Sequence, residues 1–239
     1  MPILEGEKVV RFFGGLAAVS YVDFQVEEGG IFGLIGPNGA GKTTLFNLIS
    51  AALAPQGGVI RFEGREITGF KPHRICRLGL SRTFQTVKIF GNMSVLENVL
   101  LGAFFGSPGH TSSSQGREEA LEVLDFVGLS GVAGTPAKEL TLSSQKRLEV
   151  ARALAIKPKL VLLDEIMAGL NQTEVEQAME LVRRIRETGV TVVMIEHVMR
   201  AIMNLCDRIM VLHHGRKLAE GTPGEIAASK QVIEVYLGE

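Results

Sequence analysis

Nine consecutive residues, Gly36-Pro37-Asn38-Gly39-Ala40-Gly41-Lys42-Thr43-Thr44, carry the spacing G-x-x-x-x-G-K-[ST], and the chemistry that fits it is phosphate binding. Glycines let the backbone curl so that successive N–H groups converge, and a helix beginning at the end of the loop adds its partial positive charge. Lys42 is then expected to reach the β and γ phosphates, Thr43 to offer its hydroxyl to Mg²⁺, and Thr44 to bond an oxygen nearer the sugar. A second group is the apolar run Leu160-Val161-Leu162-Leu163 ending in Asp164-Glu165, a buried strand that delivers two carboxylates to its edge. Asp164 is the expected magnesium ligand. Glu165 is the expected general base, polarising the water that attacks the terminal phosphate. A plain glycine turn and an acidic pair that merely ends a strand are the bland alternatives, and each loses weight because the two elements share one chain.

Elements of the right kind flank these residues. The run Ile31-Phe32-Gly33-Leu34-Ile35 is short and wholly apolar, as a strand buried on both faces should be, and it feeds straight into the loop. After the loop, Leu45, Leu48 and Ile49 recur at helical spacing. Before it, residues 18–26 alternate with period two and close on Glu27-Glu28-Gly29-Gly30, which predicts a half-exposed strand. Gly57-Gly58 is expected to interrupt the chain before another strand at 59–63. From about 91 to 140 the patterns are helical, as in Val95-Leu96-Val99-Leu100, with a flexible insert expected from Gly106 through Ser114. From Lys159 on, strands (160–164, 191–195, 208–213) alternate with helices, one of them carrying Val175, Ala178, Met179, Val182 and Ile185 on one face. Asn171, three residues before Glu174, is placed to cap that helix. The whole predicts an α/β sheet core carrying a helical insertion.

Composition excludes several classes. With 46% hydrophobic and 21% charged residues the chain is a packed globular protein, not a solvated tail. A formal net charge of -1, with no basic stripe beyond Arg183, Arg184 and Arg186, argues against a nucleic-acid partner. Cys76 and Cys206 lack any partner spacing, so neither a zinc site nor a disulfide framework is expected. No export signal is expected at the N-terminus, and no stretch approaches the ~20 apolar residues that span a bilayer.

The loop, Ser81-Arg82-Thr83-Phe84-Gln85, Leu163-Asp164-Glu165, Ala168-Gly169-Leu170-Asn171 and Ile195-Glu196-His197 stand in the order of an ABC transporter ATPase, which the chain resembles along essentially its whole length. Phe13-Gly14-Gly15-Leu16, the Ala-Gly-Leu-Asn segment and the terminal Val235-Tyr236-Leu237-Gly238 look most like the branched-chain amino acid importer type. The resemblance implies a P-loop sheet core formed by 1–85 and 159–239, an antiparallel β region near the N-terminus, and a helical subdomain at 86–158 that includes the signature helix. It implies that Phe13 stacks on adenine, Gln85 senses the metal and the attacking water, His197 contacts the γ-phosphate, and Asn171 lies at a dimer interface. The cofactors are ATP and Mg²⁺, and the implied partners are permease subunits, a second ABC ATPase in a head-to-tail dimer, and indirectly an external binding protein. The location implied is peripheral, on the cytoplasmic face of the cell membrane. Within the family's Leu-Ser-Gly-Gly-Gln signature this chain has Leu140-Thr141-Leu142-Ser143-Ser144, keeping the hydroxyl of Thr141 but replacing both glycines. Thr141 and Ser143 are still the expected contacts to nucleotide held by the other subunit, with Ser143 the expected source of crowding. Ile166 stands where proline is usual. The segment 87–99, with Ile89, Phe90 and Met93, is the expected dock for a permease helix. Competing readings are uptake of urea, amides or aromatic acids, a non-transport ABC ATPase acting on nucleic acid, and a small-molecule kinase.

Overall fold

The computed structural model describes the backbone of residues 1–106 and 113–237. Strand β1 (Pro2–Phe13) is paired antiparallel with β2 (Leu16–Glu27) on one side and with β4 (Gly57–Phe62) on the other, and the short β5 (Arg65–Glu66) completes a four-stranded sheet. In β2 the side chains of Val22, Phe24 and Val26 are buried while Tyr21, Asp23 and Gln25 face out, which is the expected period of two. Gly57 and Gly58 lie inside β4 instead of preceding it. At Gly58, with φ +81, a Cβ would sit 2.3 Å from the carbonyl oxygen of Lys8, so the glycine marks a close approach to β1.

The second sheet has six strands. Its order is β10 (Arg216–Gly221), β9 (Arg208–His213), β3 (Ile31–Ile35), β8 (Thr191–Ile195), β7 (Leu160–Asp164) and β6 (Leu80–Arg82). From β9 to β6 every pairing is parallel, and β10 adds antiparallel at one edge. Strands β3, β7 and β8 are buried at every residue, so their sequences read as continuous apolar runs. Alternate residues serve two cores. Phe32, Leu34, Leu160, Leu162, Val193 and Ile195 pack with α1 (Lys42–Ile49) and the antiparallel sheet. Ile31, Ile35, Val161, Leu163, Val192 and Met194 face the other way, toward α6 (Gln172–Glu187) and α7 (Met199–Leu205).

Between β6 and β7 the described elements are helical: α3 (Val95–Gly106), α4 (Ser113–Phe126) and α5 (Leu142–Leu154). The expected flexible insert is narrower than its composition implies, because Gly106 ends α3 and Ser113-Ser114 open α4, while 107–112 lie outside the described residues. A short α2 (Pro72–Arg77) precedes β6, and α8 (Pro223–Ala228) and α9 (Lys230–Leu237) close the chain. Asn171 and Glu174 form the anticipated capping box at the start of α6, with bonds of 3.0 and 2.9 Å.

Candidate functional site

The phosphate-type loop, Glu165 and His197 all follow the carboxyl ends of neighbouring parallel strands β3, β7 and β8, and Gln85 follows the end of β6. That edge is where open α/β sheets place ligands. The loop is held by its surroundings before any ligand arrives. Gly41 precedes α1 with φ +104, and a Cβ there would stand 2.1 Å from the carbonyl oxygen of Ala18, so only glycine lets the backbone turn this close to β2. The amide of Gly215 donates to the Ala40 carbonyl at 3.0 Å, fastening the loop to the β9–β10 turn. Helix α1 opens without a side-chain cap and without an acidic residue in its first turn, so its leading N–H groups are available to an anion.

Lys42 is buried, and its ammonium donates to the carbonyls of Gly36 at 2.7 Å and Pro37 at 3.0 Å. An ammonium has three donors, so two aim the group and the third remains for a phosphate. Burial pulls the Lys42 pKa below the ordinary lysine value, opposed by the charges of Glu165 and Asp164. Thr43 is exposed beside it and Thr44 half-buried.

Asp164 is buried at the end of β7, and its Oδ2 accepts from Arg82 Nη2 at 2.8 Å. Its Oδ1 is buried with no partner. Burial raises the carboxyl above its usual range, against the hydrogen bond and charge of Arg82. An orphaned carboxylate oxygen suits Mg²⁺, which is commonly held by one or two protein oxygens together with substrate phosphates. Asp164 and Thr43 would hold it, and the ion would neutralise charge on the phosphate oxygens.

Glu165 is the best-held side chain of the group. Its Oε1 lies 2.8 Å from His197 Nε2, and its Oε2 accepts from Gln85 Nε2 at 3.0 Å. Its own amide donates to the Ile195 carbonyl at 2.9 Å, and its φ of +52 lies in the left-handed region. Such a conformation in a residue other than glycine is strained by about 1–3 kcal/mol and persists where the surroundings impose it. Thus Glu165, His197 and Gln85, drawn from the ends of three strands, meet at one carboxylate.

Other anticipated residues stand apart from that cluster. Phe13 is 46% exposed at the end of β1, with the Arg11 guanidinium over its ring at 5.0 Å. Asn38 and Gly39 are exposed on the outer turn of the loop, whereas Gly36 and Ala40 are buried. Thr141 is the N-cap of α5, accepting from the Ser144 amide at 3.3 Å. Ser143 is turned inward and buried, while Leu142 is exposed and its Cδ2 lies 3.1 Å from where a Cβ on Gly169 would be. Of these two positions, Leu142 faces outward and Ser143 does not.

Four further residues bear on the site without a strong sequence signal. Arg82 also donates to Asn47 Oδ1 at 2.7 Å and Ser50 Oγ at 3.0 Å, tying Asp164 to the far end of α1. Lys146 donates to the Glu165 carbonyl at 2.6 Å. Glu196 accepts from the Met167 amide at 2.8 Å, and burial pushes its pKa up to about 7. Burial pushes the pKa of Tyr236, near the end of α9, up to about 12, opposed by the backbone of Gly36. Among the described residues no helix is long and apolar enough to cross a membrane.

Comparison with known proteins agrees with this geometry. The ABC transporter family profile matches residues 19–168, and the profile of the branched-chain amino acid ATP-binding cassette transporter matches 216–239. The chain is 41% identical to the high-affinity branched-chain amino acid transport ATP-binding protein BraF of Pseudomonas aeruginosa, covering 100% of this chain and 98% of that protein. It is 38% identical to LivG of Escherichia coli, a protein of the same description, at the same coverage. Among solved structures, a nucleotide-free ATP-binding cassette from an ABC transporter superposes with a TM-score of 0.91 at 31% identity, covering 100% of both chains. A dimeric cassette bound to ADP and phosphate superposes with a TM-score of 0.83 at 26% identity, covering 92% of this chain and 98% of that one. The chain belongs to the ABC transporter family, as one of its ATP-binding, ATP-hydrolysing cassettes.

Proposed function

We propose that this chain energises uptake of branched-chain or related amino acids, working from the cytoplasmic face of the cell membrane with permease subunits and a second ATPase chain. In this reading residues 1–85 and 159–239 form the catalytic core, and 86–158 form the helical unit that meets the partners. ATP lies with its phosphates on 36–44 and its adenine against Phe13, and Thr43 and Asp164 would hold the magnesium that neutralises phosphate charge. Glu165 takes the proton of a water whose oxygen attacks the γ-phosphorus, and the bond to the β–γ bridging oxygen breaks, leaving ADP and phosphate. His197 contacts the γ-phosphate, and Gln85 reports its presence.

One observation carries the coupling half of this reading. Gln85 touches the Glu165 carboxylate, and only a few residues on, the same segment enters a cleft of about 650 Å³ between core and helices, lined by Ile75, Phe84, Phe90, Leu101 and Ile156. Phe84 and Phe90 are 40% and 49% exposed there, an apolar floor suited to a short helix from a permease. The names of BraF and LivG supply the substrate class, and the match of the C-terminal segment 216–239 supports it.

The test is reconstitution of the transporter in proteoliposomes with ATP on the cassette side, scoring uptake of labelled leucine, isoleucine and valine beside urea, amides and aromatic acids. Phe90→Asp should stop uptake while leaving binding of an ATP analogue unchanged. Leucine uptake that survives this substitution would overturn the dock, and ATP hydrolysis with uptake only of other solutes would overturn the substrate.

A further inference from the structure

We propose that Lys146 is a positioning residue through which the helix bearing the altered signature fixes the backbone of this chain's own catalytic glutamate. The inference rests on the reading of Glu165 as general base, and it adds a link between the two nucleotide sites that runs inside one subunit.

Lys146 sits in the second turn of α5, five residues beyond the N-cap Thr141, so the two are separated by about 7.5 Å of rigid helix. Its side chain is buried, 7% exposed for the residue, and its ammonium donates to the Glu165 carbonyl at 2.6 Å. That carbonyl belongs to a residue with positive φ, whose backbone has left the strand direction and lost the ladder partner it would have had. Among the described residues the other bond to it comes from the Ala168 amide, at 3.3 Å. A short, charge-assisted bond from Lys146 is therefore the stronger hold on that end of the residue, while the Ile195 carbonyl holds the amide end. Burial lowers the Lys146 pKa, and Glu196, Glu149 and Glu165 oppose that lowering. Glu196 accepts from the Met167 amide at 2.8 Å, a second hold on the turn that carries the carboxylate, two residues after Glu165.

The consequence is mechanical. A helix translates as a unit, so a shift of α5 that brings Thr141 and Ser144 against the neighbour's nucleotide also moves Lys146, and with it the Glu165 carbonyl. The placement of the carboxylate is thereby tied to the position of α5.

The experiment uses the assembled transporter carrying Lys146→Met or Lys146→Arg, with the Glu165→Gln complex setting the floor contributed by the other subunit. Expected for Lys146→Met is a fall of about tenfold or more in kcat above that floor, with KM and the Kd of a fluorescent ATP analogue within twofold and the Hill coefficient falling toward 1. Hydrogen exchange at the amides of Met167 and Ala168, read without nucleotide, should quicken in Lys146→Met. Lys146→Arg, which keeps a charged donor, should restore most of both properties. Wild-type kcat and exchange in Lys146→Met would overturn the proposal, as would equal losses in both variants tracking an equal fall in thermal midpoint. If Glu165→Gln itself hydrolyses ATP at the wild-type rate, the assignment of the base has failed instead, an outcome distinct from a silent Lys146→Met.

Discussion

Replacing Arg82 with methionine tests whether the site is built around a buried charge that awaits a dication. The guanidinium side chain is 7% exposed and the Asp164 side chain 0%, so their 2.8 Å contact is a desolvated ion pair. Removing one partner of such a pair destabilises by roughly 3–5 kcal/mol, because the other charge is left buried and uncompensated. Methionine retains much of the packing against Phe46 and Phe84, whose rings the guanidinium faces at 5.6 and 5.4 Å, so the loss isolates the charge and the bonds to Asn47 and Ser50. For a domain of this size about 2–4 °C of melting temperature follows each kcal/mol, which sets the expected fall at roughly 6–20 °C. The loss should also depend on pH. Asp164 already has a carboxyl pKa raised by burial with Arg82 opposing, and without Arg82 it rises further. An acid whose folded pKa lies above its unfolded one loses stability as pH climbs from the unfolded value through the folded one, so Arg82→Met should melt closest to wild type under acid conditions. Thermal unfolding at pH 5 and pH 8, with and without ATP and magnesium, reads this out. Magnesium with ATP should raise the variant's midpoint more than the wild type's, since the dication takes over the role of the guanidinium. A change under about 1 kcal/mol, equal at both pH values and indifferent to magnesium, would refute the reasoning.

Glu165→Gln should lower hydrolysis by roughly a hundred- to ten-thousand-fold, the usual contribution of a general base, while a fluorescent ATP analogue still binds; comparable loss of binding would count against the role. Leu142→Gly should raise turnover at the neighbouring subunit's loop more than Ser143→Gly does, because Leu142 is exposed and Ser143 is buried; equal rates in single-turnover assays would oppose this. Glu196, with a pKa pushed up to about 7 by burial, keeps its proton in the folded state where the unfolded chain has lost it. The Glu196 contribution to stability should therefore fall by on the order of 3 kcal/mol between pH 4.5 and 7, and denaturant unfolding of Glu196→Gln should lack that part of the slope.

The parts of this molecule that were legible in the sequence are those in which one local pattern decides the structure. Ile31 to Ile35, Leu160 to Asp164 and Thr191 to Ile195 read as buried strands because both faces of each are covered and every residue is buried. The cap at Asn171 was legible because its two bonds join residues three apart. Where two distant segments decide, the sequence is silent. Gly57-Gly58 reads as a break, yet Gly58 lies in β4 because β1 passes too close for a Cβ. Strand β10 has three charged residues among its six and a single buried one, so its pairing with β9 leaves no apolar pattern. The bond from Arg82 to Asp164 spans 82 positions and that from Lys146 to Glu165 spans 19, and neither residue type announces its partner.

The same long-range contacts explain why the altered signature need not weaken this chain's own site. Neither glycine of the usual motif has a counterpart here, but Thr141 still caps α5 through the Ser144 amide, so the helix starts where it should. Everything that α5 does for Glu165 depends on the helix axis and on Lys146, both of which survive the replacement of those glycines by Leu142 and Ser143. What changes is the surface presented outward, where the exposed Leu142 stands against the Gly169 turn. On the proposed reading such a subunit keeps its base, loop and lysine for its own nucleotide, and the exposed Leu142 is what it turns toward the other. Two such surfaces in one homodimer would burden both sites equally, whereas pairing with a chain of ordinary signature leaves one site fully complemented. The asymmetry therefore favours an unlike partner, and single-turnover hydrolysis measured separately at each loop of the assembled transporter should be fast at this chain's loop and slow at its neighbour's; equal rates would remove the argument.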